Sequence, residues 1–423
     1  MDYQKDTLKN GLRVLIAPML QVKSVTAMIV AGVGSRFEER QHQGIAHFTE
    51  HMMFKGTKRR PTALAIASEL EGIGADFNAF TGEELTGFYV KAASKHLPLA
   101  LDVLSDILLN SKFEEKEIAR EKGVILEERR MHRDNPREHI GDLYNKLVFG
   151  EHPLGWETVG REETIKAMCR EDLLDYTSRW FKPENTVVVV TGDTDREKAL
   201  AEVRWRLGKL QPAKLSKPLP FKARQGKPEI LIEERKTNQT HLALGVRGYP
   251  LSHPKKYACA VLNTILGEGM SSRLFLQLRE KMGLAYYVGS LMAPYTDTGT
   301  LVTFAGVNNQ KTGKAVEAII GELKRLKDKP VPSREISKAK EIIKGELVLS
   351  LESSSFVARF LVGQEVLERK IETPEELMKK IDAVAAKEVQ GVAREIFVNE
   401  GLNLALIGPV KGEKQLLPLL DLT

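Results

Sequence analysis

The chain has 423 residues, of which 42% are hydrophobic and 28% charged. That balance fits a globular protein of two to four domains and excludes a mainly disordered one. Lys and Arg number 63 against 57 Asp and Glu, a net charge of +6, and their dispersal argues against a nucleic-acid binder, whose basic residues gather in a patch.

In chain order, apolar runs predict strands at Leu12–Pro18 and Val25–Val33, then a helix over Gly44–Phe54. Helical periods follow at Leu64–Ile73, Leu97–Leu109 and Phe113–His132. Phe77–Ala92 (FNAFTGEELTGFYVKA) alternates and reads as a hairpin. Thr186–Thr191 (TVVVVT) is a late strand, closed by Gly192 and Asp193. Residues 211–228 hold Pro212, Pro218, Pro220 and Pro228 with Lys214, Lys217, Lys222 and Lys227. Such a stretch continues neither a helix nor a central strand. It divides the chain into an N-terminal domain, 1–210, and a C-terminal domain, 229–423. The second half repeats the order of the first: strands at Glu229–Glu233 and His241–Val246, a helix at Lys256–Leu266, and a late strand at Leu402–Ile407. Further helical periods lie at Ala315–Leu326 and Ser333–Leu351. Strands mixed with helices, without regular βαβ alternation, predict an α+β fold made of two similar domains.

No run of about 18 apolar residues occurs, so no membrane association is expected. The first residues lack the apolar core and cleavage site of a secretory signal. The 2 cysteines, Cys169 and Cys259, supply neither a disulfide framework nor a cysteine zinc site, and a cytoplasmic setting is expected.

Chemistry concentrates in His47-Phe-Thr-Glu50-His51. On a helix, His47 and His51 share one face and can reach one metal ion. Glu50, three residues after His47, lies on that side and can take a proton from an attacking water. The order H-x-x-E-H inverts the commoner zinc-peptidase helix. The bland alternative is a surface helix with two ordinary histidines. The flanking Ile45, Phe48, Met52, Met53 and Phe54 argue instead for a packed helix, where bare His and Glu side chains are costly. Catalytic Zn²⁺ needs three protein ligands and one open position. Glu121, Glu127 and Glu128 are the candidates for the third ligand. Glu121 and Glu128, seven apart, share a helix face, so one can bind metal while the other orients a histidine ring.

The blocks HFTEHMMFKGT, NAFTGEELTGFYVKA, EKGVILEERRMHRDNP, LGEGMSSRLFLQLREKMGLAYYVGS and LVLSLES resemble those of the pitrilysin/insulinase family of inverted-motif zinc peptidases. The resemblance spans nearly the whole chain and is closest to the short two-domain members of the processing-peptidase β-subunit type. It implies two tandem domains, each an antiparallel sheet with helices packed on one face. It also implies one Zn²⁺ per chain on His47, His51 and Glu128, Glu50 as general base, and Glu121 behind a histidine ligand. Asn78, Ala79 and Phe80 match an edge strand that pairs with the substrate backbone. Arg279 and Tyr286 match a pair that contacts substrate near the scissile carbonyl. The helix at Lys256–Leu266 has no His, so the second domain is expected to hold no metal. The activity implied is a zinc metalloendopeptidase cleaving peptides or unfolded segments in a dimeric clamshell. A homodimer is expected, with a heterodimer with a paralogue as the other assembly. The competing function is a non-catalytic partner subunit.

Overall fold

The computed structural model describes residues 1–213 and 217–423. Lys214 of the Pro/Lys-rich segment lies outside the described residues. The fold is α+β, with two sheets in two compact units. The first sheet contains β1 (Gln4–Thr7), β2 (Arg13–Pro18), β3 (Ser24–Ala31), β4 (Asp76–Thr81), β5 (Thr86–Ala93) and β6 (Thr186–Gly192). Its order is β1-β2-β6-β3-β5-β4, which leaves β4 on an edge. The second contains β7 (Glu229–Glu234), β8 (Thr240–Arg247), β9 (Ala285–Pro294), β10 (Gly299–Val307) and β11 (Asn403–Gly408), in the order β7-β11-β8-β10-β9. The repeat read in the sequence is present in the pairing. In each sheet the late strand lies between an early parallel neighbour, β2 or β7, and an antiparallel one, β3 or β8. Each sheet therefore contains one parallel pair, whereas the resemblance implied a wholly antiparallel sheet.

The covering helices also depart from expectation. Every residue of β6 is buried. Val188 and Val190 pack with Phe48, Met52 and Met53 of α1 (Ile45–Met53) and with Leu101 and Leu104, which belong to the longer of the next two helices, α2 (Ala63–Glu71) and α3 (Leu97–Asn110). Val187 and Val189 point the other way, onto Val357, Ala358, Leu361 and Val362 of the helix Ser354–Leu367. Helices thus cover both faces. An unbroken valine run is what a doubly covered strand requires, since a strand with one wet face alternates. The second sheet repeats this arrangement. Leu404 and Leu406 of β11 face one core, while Ala405 and Ile407 meet Ile140, Leu143 and Tyr144. These last three belong to α5 (Pro136–Phe149), which follows α4 (Glu115–Asp134). Gly245 of β8 leaves room for Tyr144, because a Cβ there would stand 2.5 Å from the phenol oxygen.

The compact units are therefore not the two sequence halves. One comprises 1–130, 156–219 and 348–373, and the other comprises 131–155, 220–347 and 374–423. Each half lends a helix to the other half's sheet. A buried ion pair fastens the first of these loans: Arg13 Nη1 donates to Glu365 Oε1 at 2.9 Å and to the Glu365 carbonyl at 2.8 Å. Breaking it would strand a buried charge at a cost of about 3–5 kcal/mol.

Candidate metal centre

The histidine helix α1 begins at a tight corner. Gly44 has φ 91°, and a Cβ on it would lie 2.5 Å from the Val159 carbonyl oxygen, so a side chain does not fit. The first N–H groups of a helix have no partner inside it. Here the buried Glu38 carboxyl accepts from Gly44 N at 2.8 Å and Ala46 N at 3.0 Å. Phe48, Met52 and Met53 then lock the apolar side of the helix into the core, and this fixes where the opposite side points.

On that side His47 and His51 stand one turn apart, and α4 brings Glu128 to them. The two Nε2 atoms are 3.2 Å apart. His47 Nε2 lies 3.6 Å from Glu128 Oε1, and His51 Nε2 lies 3.4 Å from Glu128 Oε2. Ligands placed tetrahedrally around zinc at ~2.0–2.2 Å stand about 3.3–3.6 Å from one another. The triangle thus fits a zinc ion in its spacing and in its chemistry, two imidazoles and a carboxylate. His51 Nδ1 meets Glu121 Oε1 at 2.8 Å. That bond keeps the proton on Nδ1 and turns the Nε2 lone pair towards the other ligands. Glu121 Oε2 in turn receives Lys55 Nζ at 2.7 Å.

The electrostatics suit metal binding. Burial, helped by the neighbouring His51, pushes His47 down to about 3, so its ring is neutral and can ligate. Burial also disfavours charge on His51, but its bond to Glu121 and the carboxylates of Glu128 and Glu50 outweigh this and raise it. Glu121 is pushed up by burial and pulled further down by His51 and Lys55, and stays ionised. Glu50 is raised, chiefly by burial and further by Glu128, against a lowering bond from Thr81. A carboxyl raised in this way exchanges a proton more readily near neutral pH than an ordinary one.

Glu127 and Glu128 separate cleanly. The Glu127 side chain is 72% exposed and pairs with Arg130, while Glu128 reaches the histidines. Arg129 anchors this part of α4 to the Gly160 carbonyl at 2.9 Å and to Glu157 at 2.9 Å. Asn78, Ala79 and Phe80 lie on the edge strand β4. The same strand ends at Thr81, whose hydroxyl donates to Glu50 Oε2 at 2.5 Å, so the open sheet edge runs up to Glu50.

In the second unit, Arg279 sits on a π-helical turn, Phe275–Lys281, and its guanidinium lies 6.0 Å from the Tyr286 ring centre. Tyr286 is 72% exposed, unlike an ordinary core aromatic on a strand. The helix Lys256–Gly267, the counterpart of α1, carries no metal ligand set. Its Asn263 and Thr264 bond to Glu268 instead.

Residues 13–162 match the profile described as insulinase, peptidase family M16, and residues 168–343 match that described as the peptidase M16 inactive domain. A Bacillus subtilis protein described as an uncharacterized zinc protease is 36% identical over 403 residues, 95% of this chain and 97% of that one. This chain belongs to the insulinase family, M16. A Mycobacterium leprae protein of the same description is 34% identical to the M16 chain across 97% of it and 93% of its own length. Two crystal structures share the M16 chain's fold. One is of a protease from Helicobacter pylori, with TM-score 0.89, 24% identity and coverage of 96% and 99%. The other is titled peptidase M16 inactive domain, from Pseudomonas fluorescens, with TM-score 0.86, 22% identity and coverage of 98% and 99%.

Sequence reasoning about the M16 chain missed three residues at this centre: Glu38, Lys55 and Thr81. Lys55 had a signal, because it follows His51 by four residues and falls on the same side of the segment. Thr81 adjoins the edge-strand residues but carried no mark of its own. Glu38 carried none. Both cysteines are free thiols, and among the described residues no helix is long and apolar enough to cross a membrane.

Proposed function

We propose that the protein is a zinc metalloendopeptidase that cleaves peptides or unfolded polypeptide segments within a chamber closed by a second copy of the chain. The observation that carries this reading is the triangle of His47, His51 and Glu128 at tetrahedral spacing with Glu50 beside it. A zinc ion held there would polarise the scissile carbonyl and acidify the attacking water. Glu50, whose Oε2 is held by the Thr81 hydroxyl, accepts that water's proton and hands it to the departing amine nitrogen as the C–N bond breaks. The edge strand β4 holds the substrate backbone extended by strand pairing. Arg279 and Tyr286 steady the oxygen of the scissile carbonyl or position the chain. Longer relatives of the kind the sequence resembles carry four such domains, so two chains here would complete one chamber. A cytoplasmic setting belongs to this reading, since both cysteines are free thiols.

The test is metal removal on the purified chain. Chelation abolishes peptidase activity and zinc restores it. Glu50→Gln keeps the bound metal while turnover drops about 10²–10⁴-fold. Full turnover by a demonstrably metal-free sample rejects the reading.

A further inference from the structure

A second ligand cluster lies in the other unit, at the corner between α4 and α5. His132 sits in the last turn of α4. The chain turns at Asn135, whose side chain accepts from Arg137 N at 3.2 Å to start α5. His139 and Asp142 then follow, one turn apart on α5. One donor atom from each of His132, His139 and Asp142 lies within 4.8 Å of the others. Asp142 Oδ2 stands 3.3 Å from His132 Nδ1 and 3.6 Å from His139 Nδ1.

His139 is the informative member. Its side chain is only 4% exposed, and its Nδ1 has no hydrogen-bond partner. A buried polar nitrogen left unbonded is costly and calls for an explanation. The other ring nitrogen, Nε2, is held by Glu233 Oε2 at 3.1 Å. Glu233 is itself fixed by Arg235, which also donates to the Arg133 carbonyl at 2.5 Å. The ring is thus oriented from behind by a carboxylate, while its free nitrogen faces Asp142. Asp142 Oδ2 stands 3.3 and 3.6 Å from the two imidazole nitrogens, longer than the usual N–H···O bond and close to the separations that ligands keep around a shared tetrahedral ion.

We propose that His132, His139 and Asp142 form a second cation site, with Glu233 orienting His139. Two imidazoles and one carboxylate select a borderline first-row ion such as Zn²⁺, Co²⁺ or Ni²⁺ over Ca²⁺ or Mg²⁺, which prefer oxygen ligands throughout. His132 and Asp142 are part-exposed, so the fourth position opens to solvent.

Cobalt tests it, because tetrahedral Co²⁺ reports its own coordination by absorption. The metal-free full-length chain is titrated with Co²⁺ at micromolar concentration and the bound ion counted. Two equivalents are expected for the wild type, one for His132→Ala and one for His51→Ala. The double variant should hold none. Asp142→Asn, close in shape, should bind the second ion more weakly and shift its visible band. The proposal is overturned if the wild type binds one equivalent and His51→Ala none, or if a second ion survives in His132→Ala. Its failure would leave the first site untouched, since His51→Ala reads that site separately. Should His132→Ala misfold, Co²⁺ binding by His51→Ala alone decides the matter, as His132, His139 and Asp142 remain intact in it.

Discussion

Replacing Glu121 by Gln probes how much the metal centre depends on what stands behind it. Glu121 is 3% exposed and lies behind His51. One oxygen bonds His51 Nδ1 at 2.8 Å and the other bonds Lys55 at 2.7 Å. Gln has nearly the same shape but one carbonyl oxygen and no charge. It can serve the ring or the ammonium, not both, and its NH₂ group must then face a donor. The charge that makes His51 a better ligand is also gone. Losses of this kind cost about 10–100-fold in metal affinity, or roughly 1.4–2.8 kcal/mol. The assay is zinc competition against a chromophoric chelator, with Lys55→Met alongside. Lys55→Met keeps the His51–Glu121 bond and should cost less than Glu121→Gln. Unchanged zinc affinity in Glu121→Gln would refute the reasoning and leave Glu121 as merely the partner of Lys55.

Glu128→Gln should lose zinc on metal analysis, whereas Glu127→Gln, which breaks only a surface pair worth ~0–1 kcal/mol, should retain it; the reverse result places the ligand one residue earlier. Glu38 is pushed up to about 8 by burial, against the lowering effect of the Gly44 and Ala46 N–H groups. Between its ordinary value of 4.5 and 8 the folded chain therefore holds one more proton than the unfolded chain, and stability falls as pH rises through that window. Denaturant melts of the metal-free protein at pH 5 and 8 should show the wild type losing ground relative to Glu38→Gln, and parallel curves would count against a raised Glu38. Mixing Glu50→Gln with Arg279→Ala protein tests whether each centre draws Arg279 from the second chain. If it does, about half of randomly exchanged dimers are mixed, each with one intact site, so roughly a quarter of wild-type activity returns. No recovery despite proven exchange rejects shared sites.

The local parts of the centre were legible in the sequence. His47, Glu50 and His51 lie within one helical turn and a half, where 3.6-residue periodicity decides which side chains meet. Glu128 was harder. Periodicity left Glu121, Glu127 and Glu128 open, and only the family register favoured Glu128, whereas the structure separates it from Glu127 by which way each faces. Glu38 and Thr81 reach α1 through contacts that only the folded chain creates, and no local pattern announces such contacts. The double covering of the sheets was written into TVVVVT, a run without alternation. Which helices would cover the hidden face was not, because Arg13 and Glu365 are joined by tertiary packing across 352 positions.

The borrowed helix Ser354–Leu367 also sets an order of events at the ribosome. β6 ends at Gly192, and the helix that shelters Val187 and Val189 begins at Ser354, 354 − 192 = 162 residues later. At about 5–20 residues per second, this interval lasts roughly 8–32 s. Throughout it the nascent first sheet can close one face but not the other, with Leu15, Met28 and Val30 uncovered beside the two valines. The N-terminal half therefore emerges as a sheet waiting for its second layer, and the last third of the message completes the domain that the first third began.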